Sequence, residues 1–465
     1  MVVTILDTTL REGELFKMFP RSVRVQVAEK LAEAGVRRIE LTVDYPPRTF
    51  EADLQPVLQA LDGKGVEVIL HGRAYDEDLK SMAKYRVHGC AVYISVSQLH
   101  LQYKLHGMTY EEALYRLSLS VKRARELGFR YVRATLEDVS RTYLLEGEDG
   151  VRKIVEAAEK LRDAGASLVS IPDTAGLLSP RMAAEMIRAI RRGTDVPLAA
   201  HFHNDYGMAS ANTVEAALEG VEEVHVSLMG IGDRNGIADL YEVVSVLEDI
   251  HGLDTGIDRK SLRRLYQFFT RITGMRLHWR HPLSEEAKTI RAGVHQAMAV
   301  TKPEGYMPSK KLAYDFTAPT YNLSPYVSHR LVAAILGRGR SEEDVRRLTN
   351  ILAEEARASS GLLSVMRVRE IISRETGMDL DPSHLASFLT GERVYVLAKL
   401  NPRFPAGEIV ADLMGWDEVE SVDEVYGDVD IVVTGRMTYS PDNFVNRLRQ
   451  KYGQALENVK VLVTD

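Results

Sequence analysis

The chain has 465 residues, enough for two or three domains with large cores, and its 45% apolar and 27% charged content is that of a soluble globular protein rather than a disordered one. A formal net charge of -7 leaves no basic footprint and argues against nucleic acid as the principal partner, while the single cysteine, Cys90, excludes a disulfide framework or a thiolate metal cluster. No stretch is long and apolar enough to span a bilayer, and the opening Met1-Val2-Val3-Thr4-Ile5-Leu6-Asp7 lacks the marks of a signal peptide, so no membrane partner and a cytoplasmic location are expected.

Along the first part of the chain, short β-branched runs alternate with amphipathic patterns. Strands are expected over Val2 to Leu6, Arg37 to Val43, Val66 to His71, Gly89 to Val96, Tyr131 to Asp138, Leu168 to Thr174, Pro197 to Asp205 and Glu223 to Gly230. Helical spacing fills Ser22 to Ala34, Tyr110 to Leu127, Gly150 to Ala164 and Pro180 to Arg192, and Gly35, Gly128 and Gly165 stand where helix ends need them. Eight βα units ending near residue 250 match a parallel (β/α)8 TIM barrel better than a doubly wound open sheet. The barrel domain is placed at 1-275.

Residues 276-391 are read as a lid and helical linker subdomain. Its first part is irregular and rich in proline, and Ser341 to Glu375 is helical with Gly377 as a stop. From 392 to 465 the order becomes β-α-β-β-α-β: strands at Val394 to Leu400, Val419 to Tyr426, Asp430 to Thr438 and Val459 to Val463, helices at Ala406 to Met414 and Pro441 to Lys451. That order is ferredoxin-like α+β.

In a barrel of this kind, catalytic groups belong at the C-terminal ends of the strands. The sequence puts its polar residues there. Strand one runs into Asp7-Thr8-Thr9-Leu10-Arg11-Glu12-Gly13, strand three ends at His71, and strand five carries Arg133, Thr135, Glu137 and Asp138. Strand six ends in Asp173-Thr174, strand seven in His201-Phe202-His203-Asn204-Asp205, and strand eight leads into Gly230-Ile231-Gly232-Asp233-Arg234-Asn235-Gly236. Alternation along a strand points His201 and His203 the same way, which is half of a site for a divalent metal doing Lewis-acid work. Plainer readings stand beside each residue: packed histidines at a strand end, Glu12 as a helix-start carboxylate, Arg133 with Glu137 as an ion pair in the barrel mouth, and His71 as a core histidine.

These motifs, with Ala292-Gly293-Val294-His295 beyond the barrel, together resemble the homocitrate, isopropylmalate and citramalate synthases over roughly residues 1 to 310. The resemblance implies an enzyme that condenses acetyl-CoA with a 2-oxo acid by Claisen chemistry and then hydrolyses the thioester. It implies a divalent metal (Zn, Mn or Mg) on Glu12, His201 and His203, and a 2-oxo acid bound by Arg11, His71, Arg133, Thr135 and Thr174. His295 with Tyr306 and Glu137 would handle the methyl proton, and Arg11 would share the charge that develops on the ketone oxygen.

Glu12, where isopropylmalate synthases usually carry Asp, and Arg234-Asn235-Gly236-Ile237 lean towards homocitrate synthase, hence towards 2-oxoglutarate and lysine biosynthesis. Oxaloacetate (to citrate), 2-oxoisovalerate and pyruvate remain alternatives, as do a barrel lyase or carboxyltransferase and a non-catalytic amino-acid-binding protein. Leu15 replaces a Gln common in relatives, Asp233 replaces a usual Glu, and Val327-Ser328-His329-Arg330 departs from the family pattern. The hairpin Val425 to Val433 resembles the effector-binding domain of Lrp/AsnC regulators. This implies feedback control, with lysine as the natural effector if the barrel makes homocitrate; the plainer reading is an oligomerisation module. A homodimer or higher homo-oligomer is expected.

Overall fold

The computed structural model describes residues 3–315, 318–359, 361–390, 393–414, 416, 419–436 and 441–463. Eight parallel strands close in chain order into a barrel: β1 (Thr4–Asp7), β2 (Arg38–Thr42), β3 (Glu67–Arg73), β4 (Gly89–Ser95), β5 (Tyr131–Glu137), β6 (Leu168–Asp173), β7 (Leu198–Phe202) and β8 (Glu223–Val226). Closure is made at β1, where Leu6 lies opposite Arg38 of β2 on one side and His225 of β8 on the other. Strands covered on both faces need continuous apolar runs. Thus Val169, Ile171, Leu198, Ala199, Ala200 and Phe202 are all fully buried.

The covering helices follow from their sequence signals. In Tyr110–Glu126 the Thr109 side chain accepts from the Glu112 amide and Glu112 returns the bond, a capping box, while Arg123 and Arg125 face the carbonyl end. Its buried stripe is Ala113, Leu114, Leu117, Val121 and Ala124. At the end of Arg21–Glu33 the chain turns through Gly35 at φ +96°, and a Cβ there would stand 2.5 Å from the Gly256 carbonyl oxygen. Only glycine meets both demands.

Every expected barrel strand is present, but the last residues of several leave the ladder. β7 stops at Phe202 rather than Asp205 because His203 pairs instead with Ile237 and the Asn204 amide donates to the Gly236 carbonyl. The loop after β8 therefore takes over the backbone that would have extended the strand. The expectations at Val2, at the 391/392 boundary and at residues 437 and 438 lie outside the described residues.

The chain forms two compact units, Met1–Tyr266 and Gln267–Asp465. Their division falls within the helix Arg259–Thr273, ahead of the boundary expected at 275. The second unit holds two separate apolar cores, one running from Ile290 to Leu389 and the other from Val394 to Ala455. In the first, two short strands, β9 (Thr289–Ile290) and β10 (Thr320–Tyr321), pair among helices. The single helix expected over Ser341 to Glu375 is two, Glu342–Ala358 and Val365–Thr376, because Gly361 at φ +92° breaks the run. Around the second core, β11 (Arg393–Leu400), β12 (Val419–Glu424), β13 (Ile431–Arg436) and β14 (Leu456–Val463) form an antiparallel sheet in the order β12-β13-β11-β14, which is the ferredoxin-like order. No helix among the described residues is long and apolar enough to cross a membrane.

Candidate active site at the mouth of the barrel

A cavity of about 310 Å³ opens at the C-terminal ends of the strands. Its wall includes Arg11, Glu12, His71, Arg133, Thr135, Glu137, Thr174, His201 and His203, so the barrel residues to which the resemblance gives a role in metal, substrate or proton handling line one cavity.

The turn after β1 builds the first side. Asp7 accepts hydrogen bonds from the Thr9 amide and hydroxyl, at 2.9 and 3.0 Å, and the Thr9 hydroxyl in turn accepts from the Leu228 amide at 2.8 Å. The Thr8 carbonyl accepts from the amides of Arg11 and Glu12, which sets both side chains into the cavity. There the Arg11 guanidinium bridges two carboxylates, Glu40 at 2.7 Å and Glu12 beside it. The other Glu12 oxygen accepts from the Asp233 amide at 3.2 Å. This ties the loops after β1 and β8 together.

His201 and His203 stand with ring centroids 5.0 Å apart. Burial holds both imidazoles below the usual histidine range, aided for His201 by the neighbouring histidines and Arg11, and opposed for His203 by the Glu12 charge. Neutral imidazoles are the form that binds metal. The Nδ1 atom of His203 is buried and has no hydrogen-bond partner. Among the described residues no three His, Cys, Asp or Glu side chains already stand as a finished metal cage, since Glu12 is turned to Arg11. Two neutral imidazoles, one of them with a buried free nitrogen, and an adjacent carboxylate nonetheless form a donor set suited to a divalent cation.

Arg133 departs from the simplest expectation. It is 1% exposed, and its two terminal nitrogens are spent inside the barrel, one on Glu40 and the other on His225 at 2.9 Å and Glu223 at 3.3 Å. Glu40 is held well below the carboxylate range by Arg11 and Arg133 against the cost of its burial, and Glu223 is brought to about 2, against its own burial, by His225 first and then by Arg133 and Arg38. The pairing considered between Arg133 and Glu137 is not formed. Glu137 is held instead by Lys104 and by the Ser95 hydroxyl.

His71 lies flat against Tyr93, with centroids 5.0 Å apart and planes 7° from parallel, and burial beside Arg11 drives it down to about 3. The Thr174 hydroxyl already accepts from the Asp138 amide at 2.9 Å. Three further buried polar atoms have no partner: Arg133 Nε, Thr135 Oγ1 and Ser170 Oγ. All three belong to residues of the cavity wall.

Sequence reasoning missed Glu40, Tyr93, Lys104 and His225. A signal existed for two of them: Glu40 follows Arg38 at strand spacing, as His225 follows Glu223, and polar residues at every second position of an apolar strand mark an inward face. In the second unit, the rings of His295 and Tyr306 are stacked with centroids 4.1 Å apart.

Comparison with known proteins places this site in a family. The HMGL-like family model matches residues 2–269. A 2-isopropylmalate synthase of Sulfolobus acidocaldarius is 33% identical over 312 residues, covering 66% of this chain and 78% of its own. A homocitrate synthase of the same organism is also 33% identical, over 316 residues, covering 66% of this chain and 64% of its own. Among solved structures, the HMG-CoA lyase of Bacillus subtilis matches with a TM-score of 0.51 at 22% identity, covering 60% of this chain and 96% of that one; this likeness bears on the fold alone.

Proposed function

We propose, for a chain that belongs to the HMGL-like family, that it condenses acetyl-CoA with a 2-oxo acid and releases free CoA. A bond forms between the acetyl methyl carbon and the ketone carbon, a methyl C–H bond breaks, and water then cleaves the thioester C–S bond. The relatives named as 2-isopropylmalate and homocitrate synthases support the reaction class.

The observation that carries the choice of acid is the set of unpaired donors on the cavity wall: Arg133 Nε, Thr135 Oγ1 and Ser170 Oγ. Leaving each buried donor unpaired costs about 1–3 kcal/mol, so a ligand that satisfies all of them is strongly preferred over one that does not. A second carboxylate offers about four lone-pair sites, enough for the three donors. An isopropyl group offers none. The best substrate is therefore a 2-oxo dicarboxylate, with 2-oxoglutarate, giving homocitrate on the route to lysine, ahead of oxaloacetate.

Glu12, His201 and His203 are the residues that would hold a divalent cation. The chemistry that ion supplies when bound is Lewis-acid polarisation of the ketone. Arg11 places a guanidinium in the same cavity, where negative charge on the ketone oxygen grows. Proton removal from the methyl group is assigned to His295 with Tyr306, on the motif Ala292-Gly293-Val294-His295 and their stacking, and, on the family resemblance alone, to Glu137. The ferredoxin-like module is assigned to feedback control by an amino acid, lysine, and the enzyme to a homo-oligomer.

A second reading, 2-oxoisovalerate as the acid, is favoured by the relative named 2-isopropylmalate synthase. Thiol release from acetyl-CoA, measured with a divalent metal and each of 2-oxoglutarate, oxaloacetate, 2-oxoisovalerate and pyruvate, separates them. The expected result is the highest kcat/KM with 2-oxoglutarate. A preference for 2-oxoisovalerate would install the second reading, and no turnover with any acid would end the synthase assignment. In the same assay His203→Ala should lose turnover, and bind the metal at least about a hundredfold more weakly, with an unchanged circular dichroism spectrum.

A further inference from the structure

Glu137 and Asp138 are adjacent carboxylates at the end of β5, and the structure treats them in opposite ways. Asp138 is fully buried and sits at φ +64°. It accepts from the Ser97 hydroxyl at 2.6 Å and from Arg141 at 2.8 Å, with the His100 ring 3.5 Å away. Ser97 also caps the short helix Gln98–Tyr103 by accepting from the His100 amide. Asp138 thus anchors that helix to the barrel.

Lys104 follows directly on the last turn of the anchored helix. Its ammonium meets both oxygens of Glu137 at 2.6 Å, while the Ser95 hydroxyl donates to one of them. Ser95 is in turn backed by His100 Nδ1 at 3.3 Å. The same ammonium lies 5.8 Å over the ring of Tyr93, which stacks on His71. Glu137 and Tyr93 line the cavity, and Lys104 contacts both without lining it.

We propose that Lys104 is a positioning residue for the condensation: delivered by a helix that Asp138 pins to the barrel, it clamps Glu137 in one orientation on the cavity wall. This rests on the synthase reading, in which Glu137 is one of the residues assigned to the methyl proton. A carboxylate on a flexible side chain spends rotational entropy each time it is aimed. Two donors at hydrogen-bond distance on one oxygen and a third contact on the other remove that cost before substrate arrives.

The test is a double-mutant cycle on the full-length enzyme, with thiol release as the readout. Lys104→Met should lower kcat by about tenfold to a hundredfold and move KM for the 2-oxo acid by less than about threefold. Lys104→Arg should recover most of the loss. In a Glu137→Gln background, Lys104→Met should cost nothing further, because its partner is already gone. An equal loss in both backgrounds, or a K104M enzyme with wild-type kcat, overturns the proposal while leaving the synthase reading intact. A wild-type enzyme inert towards every acid overturns the reading and the proposal with it. Should K104M fail to fold, Ser95→Ala crossed with Glu137→Gln runs the same cycle on the second donor.

Discussion

Arg133 and Asp7 show how far burial alone changes what a side chain can do. A guanidinium in the barrel lumen cannot remain unpaired, because desolvating a charge without a partner costs several kcal/mol, so Arg133 closes onto Glu40, Glu223 and His225. Its Nε is left buried without a partner. At Asp7, burial wins over the two hydrogen bonds from Thr9 and raises the carboxyl to about 7. The native state therefore keeps a proton that the unfolded chain has already lost, and stability falls as pH rises from the ordinary carboxylate range to about 7. Denaturant melts at pH 5 and pH 8 should show wild type losing stability relative to Asp7→Asn across that interval. An unchanged difference between the two proteins would remove the assignment. The ligand candidates themselves, Glu12, His201 and His203, were readable because each stands at or just beyond a strand end in a recognisable motif; the state of Arg133 was not, because Glu40 lies 93 positions away and no local pattern links them.

Among the elements, the loops after the strands decide more than the strands do. The loop after β8 folds back so tightly that a Cβ on Gly236, at φ +83°, would stand 1.9 Å from the Gly230 carbonyl oxygen. The Gly236 carbonyl also receives the Asn204 amide, next to His203. Gly236→Ala should therefore cost at least about 1–3 kcal/mol in chemical denaturation, since backbone must move to admit it. Turnover should fall with it, and a variant within about 0.5 kcal/mol of wild type would contradict this account. Periodicity found the eight strands and the four helices named for the barrel, because alternation and helical spacing are local. It placed His203 inside β7, whereas the structure puts it just beyond, paired with Ile237. Strand ends are set by competition with distant backbone, which spacing does not encode.

At the level of the whole molecule, the apolar core between Ile290 and Leu389 and the one between Val394 and Ala455 share no residue. A chain ending at residue 391 should therefore fold and turn over. Arg276, which donates to the Ser421 and Thr434 hydroxyls of the ferredoxin-like sheet, would simply be released to solvent. In the synthase assay with added lysine, the full-length enzyme should be inhibited and the shortened one should not. Equal responses would sink the sensor assignment, and an unfolded short form would show that the two cores depend on each other. What the sequence by itself determined was the alternation of eight strands with helices, the ferredoxin-like order at the end of the chain, the family and the residues gathered at the barrel mouth. All of these rest on patterns repeated every two to four residues or on short contiguous motifs. Only the tertiary structure decided which charges neutralise one another across the lumen, which donors remain open to a ligand, and that Lys104 reaches Glu137. Those outcomes depend on side chains brought together by barrel closure, and burial makes each pairing obligatory only once the barrel has formed.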